Sequence, residues 1–495
     1  MTGSKTIILL KNGTVLQHQS DDTVVSLPNT DILIQDNKIS AIGSSLSFPS
    51  GAEIIDCTNK LVSPGMIDTH NHLWMTQLKA RHAEHTLLEY VYSGGLQNFN
   101  FSPEDIYWGQ LGGALESIDA GTTTVVDHAH MTCSPDNVDE AIAATAHSGI
   151  RSFYCYVPIV RYKSWNPLVP DPDILPNWAF EQLEGLAKAQ PFGNGRVSIG
   201  FGFDLWFLPK ELVVSKWEQV RSWGVKLFTT HYCKNHIFGL RSVPEMLRDY
   251  GLLKSGVIVS HATGASEEDG KILSEAGVYV AAAPEVEGQM GCGLPLSFRG
   301  DVPVALGADG HFVGPADIMS QMRLALTLAR HSRNQKILDD NRFPAANIGT
   351  SAQAFNMGTI AGARAVGMES QIGSIAVGKL ADITIFDAVS PTMVCAAQYD
   401  PVTAIVRHAT IRDVATVIVD GVVRKRNGIL LPISIKEGDM VSKTVSGAQQ
   451  LSWGEIAQAL MESRERVANK IAQLDIAAGG EAFKRLAQID SSKLA

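Results

Sequence analysis

One stretch decides the fold: Pro64-Gly65-Met66-Ile67-Asp68-Thr69-His70-Asn71-His72. A glycine introduces a short apolar run, and the run ends in two histidines separated by one residue. On a β-strand, residues i and i+2 point to the same face, so the imidazoles of His70 and His72 share one side of the strand end. The stretch therefore predicts a buried strand that brings two imidazoles to one place.

Seven further apolar runs follow the first, and longer segments of helical character separate them. Continuous apolar strands that alternate with helices are typical of parallel strands buried on both faces. Eight such units in about 250 residues predict a closed (β/α)8 barrel of the TIM type. The eight runs are Met66–His72, Thr122–His128, Arg151–Val157, Val197–Asp204, Val225–His231, Val257–His261, Val278–Ala283 and Val302–Asp309.

The regions on both sides of the barrel have a different pattern. Short β-rich runs alternate there with turn signals such as Asn12-Gly13 and Asp420-Gly421. Neither region is large enough to bury both faces of a sheet, so we predict one small β-sandwich built from both termini. The expected α/β architecture has a sandwich from residues 1–61 and 370–440, a catalytic barrel over 62–369 and a helical extension over 441–495.

Composition and charge exclude several classes of function. The 495 residues are 45% hydrophobic, enough for a large core, and 41 basic against 51 acidic residues give a net charge of −10. No cluster of Lys and Arg could follow a phosphate backbone, so we expect no nucleic-acid partner. No apolar stretch approaches the ~20 residues that span a bilayer, so we expect no membrane partner.

The cysteines and the C-terminal helices bear on location and assembly. Six cysteines are scattered without a C-x-x-C pair, which indicates a reducing compartment rather than a disulfide framework or a structural zinc site. The N-terminal apolar run Ile7–Leu10 is too short for a signal peptide. We therefore expect a cytoplasmic protein. The amphipathic helical tail favours a homo-oligomer, a dimer or larger.

Polar side chains end several of the predicted barrel strands. In such barrels the active site lies at the C-terminal ends of the strands. The first strand ends in the two histidines, the fifth in His231, the sixth in His261 and the eighth in Asp309. A lone strand-end histidine is usually structural, but this joint pattern indicates a divalent metal. We expect zinc, with Fe²⁺ or Mn²⁺ as alternatives. The metal would lower the pKa of a bound water towards about 7.

Two motifs carry a resemblance to a known family. The first is Pro64–His72, and the second is Gly373-Ser374-Ile375-Ala376-Val377-Gly378-Lys379-Leu380-Ala381-Asp382. Together they resemble signatures of the amidohydrolase superfamily, most closely those of the branch with chlorohydrolases, cytosine and guanine deaminases and related aminohydrolases. The resemblance implies a metal-dependent hydrolase that acts on non-peptide carbon–nitrogen bonds of a small-molecule substrate.

The resemblance also implies roles for individual residues. His261 would contact the reacting water or the substrate, and Asp309 would bind the metal and accept a proton from the water. The implied metal ligands are His70, His72, His231 and Asp309. Binuclear members of the family bridge two metals through a lysine or a carboxylate on the fourth strand. Here that strand, Val197–Phe207, contains no lysine and only Asp204 as an acid, so we expect one zinc ion per chain.

One position departs from the pattern of the related deaminases. Their proton-shuttling glutamate lies three residues after the strand-five histidine, and Lys234 occupies that position here. An ammonium group that is already protonated cannot accept a proton. The segment Pro284–Gly293, which resembles a P-E-x-E-x-Q-M-G-x-G variant of less characterised members, offers Glu285 and Glu287 as catalytic carboxylates. The alternative is that one of them only accepts backbone N–H groups in a loop.

The leading hypothesis is a mononuclear metal-dependent hydrolase that uses activated water on a carbon–nitrogen bond of a cyclic or heteroaromatic compound. Aromatic residues near the strand ends, such as Trp74, favour a flat substrate. His128 and His130, which share one face of the second strand, are candidates for substrate contact or for structural roles. A metal-dependent lyase or isomerase is the alternative, because Lys234 replaces the usual shuttle. A catalytically silent scaffold is a third hypothesis, against which the complete ligand set argues.

Overall fold

The computed structural model describes residues 7–235, 239–435 and 440–494. The strands are β1 (Ile7–His18), β2 (Val24–Gln35), β3 (Lys38–Gly43), β4 (Glu53–Asp56), β5 (Lys60–Pro64), β6 (Met66–Asn71), β7 (Thr122–Ala129), β8 (Arg151–Tyr156), β9 (Tyr162–Ser164), β10 (Val169–Pro170), β11 (Val197–Gly202), β12 (Phe228–Cys233), β13 (Val257–Thr263), β14 (Tyr279–Ala282), β15 (Val304–Leu306), β16 (Ile383–Asp387), β17 (Val414–Val419), β18 (Val422–Arg426), β19 (Ile429–Leu430), β20 (Ile433–Ser434) and β21 (Gln450–Leu451).

Helices occupy most of the segments that connect the barrel strands, and they also form most of the C-terminal extension. The α-helices are α1 (Leu87–Ser93), α2 (Pro103–Asp119), α3 (Pro135–Ser148), α4 (Asn177–Ala189), α5 (Lys210–Ser222), α6 (Val243–Asp249), α7 (Glu267–Glu275), α8 (Pro284–Gln289), α9 (Ile318–Asp339), α10 (Ser351–Met357), α11 (Ile360–Ala365), α12 (Ala396–Tyr399), α13 (Pro401–Arg407), α14 (Trp453–Ala472) and α15 (Ile476–Leu486). Short 3₁₀ helices cover Leu73–Leu78, Gly95–Asn100, Ile411–Asp413 and Ser491–Lys493. None of the described helices is both long and apolar enough to cross a membrane.

Eight parallel strands form the predicted barrel. They pair in the order β6-β7-β8-β11-β12-β13-β14-β15, and all eight come from the apolar runs that the sequence indicates. The barrel closes where the backbone N–H of Asp309 donates to the carbonyl of His70 at 2.8 Å. Gly307 permits this approach, because a Cβ there would lie 2.7 Å from the Cβ of His70. The TIM-type fold prediction is confirmed.

A buried carboxylate reinforces the closure between the first and eighth strands. Asp68 Oδ1 accepts hydrogen bonds from the backbone N–H groups of His70 at 3.1 Å and Ala308 at 3.2 Å. Its Oδ2 accepts a hydrogen bond from Asn71 Nδ2 at 2.7 Å. Burial raises the pKa of Asp68 to about 7, and these hydrogen bonds oppose that rise. The aspartate of the first motif thus joins the two strands that carry three of the predicted ligands.

The strands from both termini belong to one nine-stranded sheet. Its order is β19-β18-β17-β16-β5-β1-β2-β3, with β4 paired to β1. Strand β5 pairs with β1 from the N-terminal region and with β16 from the C-terminal region. Alternate side chains such as Ile8 and Ile383 form a core within this sheet domain, whereas Leu61 and Phe386 join the main core. The predicted composite domain is therefore present as one continuous hydrogen-bonded sheet, and its exact boundaries remain a prediction.

A buried ion-pair network fastens the sheet to the barrel. Arg151, on barrel strand β8, contacts Asp382 with Nε 2.8 Å from Oδ2, and its Nη2 lies 3.0 Å from Oδ1 of Asp420. Arg151 is 5% exposed and Asp382 is 6% exposed. The carbonyl of Asp382 also accepts the N–H of Gly65, directly before β6. The last residue of the second motif thus holds the entry to the first barrel strand.

The helical extension packs against the barrel of its own chain. Helix α14 lies on α2 and on the 3₁₀ helix Leu73–Leu78, while α15 contacts α1. Gln77 Nε2 donates to Ser463 Oγ at 2.9 Å, and that hydroxyl donates to Asp105 at 2.8 Å. The extension therefore supports the loop that follows the first barrel strand.

We predict that Asp382→Ala lowers the free energy of unfolding by about 3–5 kcal/mol, because the substitution leaves the buried guanidinium of Arg151 without its main partner. Urea denaturation with metal in excess measures this loss. Asp339→Ala, at an exposed position of α9, is the control and should change stability by less than about 0.5 kcal/mol. Equal stability of the two variants would contradict the anchoring role of Asp382.

Candidate metal centre

The two histidines of the first motif are held so that one nitrogen of each ring stays available. His72 Nδ1 lies 2.7 Å from the carbonyl oxygen of His128, which can only accept, so Nδ1 carries the proton and Nε2 is free. His70 Nδ1 is hydrogen-bonded to Ser260 Oγ at 2.9 Å. Among the described residues, His70 Nε2 is buried without a hydrogen-bond partner. An unpaired buried nitrogen of this kind suits a metal ligand.

His231, on β12, is oriented by a carboxylate. Its Nδ1 lies 2.8 Å from Asp204 Oδ2, and its backbone N–H donates to Oδ1 of the same carboxylate at 2.8 Å. The carboxylate therefore fixes the proton on Nδ1 and leaves Nε2 for a metal, as in many zinc sites. Asp204 also lies 2.9 Å from His128 Nε2. Burial opposes ionisation of Asp204, but His231 and His128 hold its pKa well below the usual range.

His261, on β13, is held by Glu287. Its Nδ1 lies 3.2 Å from Glu287 Oε1, which also accepts the backbone N–H of Ala283 at 2.8 Å. His261 Nε2 lies 3.5 Å from Asp309 Oδ2. Both His261 and Asp309 have positive φ, 67° and 61°, a conformation that costs energy for residues other than glycine. The backbone is strained where the two side chains turn into the barrel mouth.

The predicted residues meet at one point. Asp309 Oδ1 lies 3.1 Å from His72 Nε2 and 3.5 Å from His70 Nε2. Potential ligand atoms lie within 4.8 Å of one another in two groups that share His70, namely His70–His231–His261 and His70–His72–Asp309. Nitrogen and carboxylate donors in this number fit a zinc site that keeps a position open for water. The four predicted ligands and His261 are therefore brought together.

Burial and charge favour the protonation states that bind a metal. Desolvation lowers the pKa of His70 well below its ordinary value, which keeps the ring neutral. Burial alone would raise the pKa of Asp309, but His70 and His72 outweigh it and hold that pKa well below the usual range. A neutral imidazole and an ionised carboxylate are the forms that coordinate a cation.

The role of Asp204 was missed by the sequence reasoning. The sequence identifies Asp204 as the single acid of the fourth strand but does not indicate its contact with His231. In the structure His128, Asp204 and His231 form a third cluster of possible ligand atoms, and His128 Nδ1 is bound to Thr229 Oγ1 at 2.8 Å. The position of Asp204 in the sequence could have indicated this contact, because the residue follows a barrel strand and so lies at the same rim as the histidines.

Among the described residues, no side-chain hydrogen bond or ion pair joins Lys234 to the histidine cluster. Its Nζ lies 4.0 Å from Oδ2 of Asp269, a fully buried residue whose carboxylate also accepts the N–H of Ser266 at the start of α7. Lys234, which replaces the proton-shuttling glutamate of the related deaminases, therefore pairs with Asp269.

The two carboxylates after the seventh strand occupy different surroundings. Glu287 is fully buried against His261, and its Oε2 has no hydrogen-bond partner among the described residues. Glu285 accepts a hydrogen bond from Gln321 Nε2 at 3.1 Å instead. Burial raises the pKa of both carboxyl groups. Only Glu287 reaches the histidine cluster in the part of the chain described.

Two pairs of aromatic side chains pack near the strand ends that carry the cluster. Tyr90 stacks on Phe312 with ring centroids 4.4 Å apart, and Trp74 packs edge-on against Phe101. Phe207, just after the fourth strand, is 65% exposed. Of the aromatic residues near the strand ends, Trp74, Tyr90 and Phe312 are therefore buried, whereas Phe207 is exposed.

Comparisons with known proteins agree with this arrangement. A sequence model described as the amidohydrolase family matches residues 61–187 and 231–424. The chain is 30% identical over 440 residues to a 5-methylthioadenosine/S-adenosylhomocysteine deaminase of Thermococcus sibiricus, covering 84% of this chain and 93% of the relative. It is 28% identical over 471 residues to a 5'-deoxyadenosine deaminase of Methanosphaera stadtmanae, covering 90% and 99%.

Solved structures share the fold at lower identity. An adenosine deaminase from Xanthomonas campestris, crystallised with zinc, superposes with a TM-score of 0.74 at 19% identity, covering 94% of this chain and 99% of the other. The zinc complex of the atrazine chlorohydrolase from Arthrobacter aurescens TC1 gives 0.72 at 21% identity, covering 93% and 100%.

These matches decide the class of the protein. The relatives are deaminases, so the chain is an enzyme that hydrolyses non-peptide carbon–nitrogen bonds, and the lyase or isomerase alternative is not favoured. The family match covers more than half of the residues and includes both motifs. The chain belongs to the amidohydrolase family.

Proposed function

We propose that this enzyme uses one zinc ion, held by His70, His72, His231 and Asp309, to hydrolyse a carbon–nitrogen bond of a heteroaromatic small molecule. The observation that carries the proposal is the convergence of these side chains, with the Nδ1 atom of each histidine engaged elsewhere in the protein. The adenosine-type substrates named for the relatives make an aminopurine nucleoside the first class to test.

A bound divalent ion would act as a Lewis acid and lower the pKa of its water ligand towards about 7. Asp309 would accept the proton that the water loses, and its Oδ2, 3.5 Å from His261 Nε2, is placed to exchange a proton with that ring. His261 is placed to donate a hydrogen bond to the oxyanion or ring nitrogen that gains charge during attack. The pair thus moves one proton across the reacting centre.

Glu287 completes this proton path in place of the missing shuttle. Burial alone would lower the pKa of His261, but Cys233, Glu287 and Asp309 together raise it to about 10 in the metal-free protein. The two carboxylates beside the ring, Glu287 at Nδ1 and Asp309 at Nε2, favour an imidazolium, the form that can give a proton to the leaving amine. Glu287 Oε1 accepts the Nδ1–H of that imidazolium and stabilises its charge. After Nε2 has given its proton to the amine, Asp309 can return to the ring the proton that it took from water. We propose Glu287 as the residue that supports proton transfer and assign Glu285 no part in it.

We also propose that the protein is a cytoplasmic homo-oligomer without nucleic-acid or membrane partners. All six cysteines are free, which suits a reducing compartment. Exposed apolar residues such as Phe343 and Tyr399, at 85% and 93%, offer surface for contact between subunits.

Turnover in ¹⁸O-water tests the reaction class. We predict that the zinc-loaded enzyme converts at least one member of a panel of aminopurine nucleosides, aminopyrimidines, aminotriazines and cyclic amides, and that the product carries one ¹⁸O atom. Ammonia release distinguishes deamination from ring opening, and His70→Ala serves as the inactive control. Turnover without label would contradict hydrolysis.

Substitution of the two glutamates tests the proton path. We predict that Glu287→Gln lowers kcat by about 10²–10⁴-fold, the usual contribution of acid–base catalysis, while zinc content is retained. Glu285→Gln is the matched control on the same helix and should change kcat by less than about tenfold. A larger loss in the Glu285 variant than in the Glu287 variant would reverse the assignment.

A further inference from the structure

We propose that His130 is a specificity-determining residue whose Nε2–H donates a hydrogen bond to an acceptor atom of the heterocyclic substrate. The inference rests on the function proposed above and deepens it, because it names a feature that the substrate must carry beside the reacting carbon. Three observations support it: the tautomer, the position and the unused donor of this ring.

Trp74 sets the tautomer of His130. The indole Nε1 lies 3.1 Å from His130 Nδ1. An indole N–H can only donate, so Nδ1 must accept, and the neutral ring then carries its proton on Nε2. Trp74 is fully buried and packs against Phe101, with ring centroids 5.0 Å apart. The indole is therefore held in place.

The ring of His130 lies directly beside the proposed metal ligands. It stacks on His72 with ring centroids 4.0 Å apart and planes inclined by 21°, and its centroid is 6.4 Å from that of His231. The carbonyl of His130 accepts a hydrogen bond from Asn98 Nδ2 at 3.1 Å, which fixes the backbone. A substrate at the cluster would lie within reach of this imidazole.

The Nε2–H of His130 has no acceptor among residues 7–235, 239–435 and 440–494, and His130 as a residue is partly exposed. The neighbouring His128, by contrast, has both nitrogens engaged, by Thr229 and Asp204. His128 thus belongs to the framework, while His130 offers a free donor.

A fixed donor selects for substrates with a lone pair at the matching position. An unprotonated ring nitrogen or a carbonyl oxygen accepts a hydrogen bond from this N–H. A C–H group cannot accept one, so binding then removes the donor from water without a replacement partner, which weakens binding. We infer that the enzyme prefers heterocycles with an acceptor atom next to the reacting carbon or one ring atom further away, as N1 and N7 are in a 6-aminopurine.

The first measurement is the tautomer. Long-range ¹H–¹⁵N correlation spectra of the full-length, zinc-loaded protein with ¹⁵N-labelled histidine should show His130 as the Nε2–H form, with the signal assigned by its absence in His130→Gln. Trp74→Phe removes the donor to Nδ1 and should change the pattern of that signal. A protonated Nδ1 in the wild-type protein would overturn the proposal.

The second measurement compares the binding of adenosine with that of 1-deazaadenosine and 7-deazaadenosine. In each analogue a C–H group replaces one acceptor nitrogen of adenosine. We expect the wild-type protein to bind adenosine about 10- to 100-fold more tightly than one deaza analogue. His130→Ala should abolish that preference, and His130→Gln, whose amide can still donate, should keep part of it at unchanged zinc content.

The outcomes separate this inference from the proposed function. An unchanged preference in His130→Ala would overturn the role of His130 while leaving the hydrolase assignment intact. If wild-type protein binds none of the three probes, the aminopurine substrate class is wrong, and the tautomer in the same sample decides whether the donor exists.

Discussion

The site depends on the closure of the barrel between its first and last strands. The hydrogen bond from the Asp309 N–H to the His70 carbonyl joins the strand that carries the two motif histidines to the strand that carries the aspartate. Asp68 supports the same junction from beneath. Because parallel strands present their C-terminal ends on one rim, the closed register brings histidines from the fifth and sixth strands to that junction.

The position of the first strand is in turn set by the sheet domain. Gly65 alone separates β5, in the middle of that sheet, from β6 in the barrel. The Asp382 carbonyl holds the N–H of Gly65, and the Asp382 carboxylate binds the barrel residue Arg151. The two sequence motifs, more than 300 residues apart, therefore meet in space, and the second stabilises the strand that the first supplies.

Each imidazole of the cluster is oriented by a hydrogen bond at its Nδ1 atom. These hydrogen bonds could not be predicted from the sequence. Periodicity predicted the barrel, because buried parallel strands need continuous apolar runs, and strand ends predicted the histidines and Asp309. Pairing of Asp204 with His231 depends on how adjacent strands are staggered. The choice between Glu285 and Glu287 depends on one helical turn in α8, and the engagement of Lys234 with Asp269 depends on the path of a loop. None of these leaves a periodic signal.

The central claim is that the oriented imidazoles and Asp309 form one metal site. Crystals of the zinc-loaded protein, measured above and below the zinc absorption edge, test this claim directly. The account predicts one anomalous peak per chain, bounded by the Nε2 atoms of His70, His72 and His231 and by the carboxylate of Asp309. A second peak of equal occupancy, or a single peak centred instead between His128 and Asp204, would contradict it.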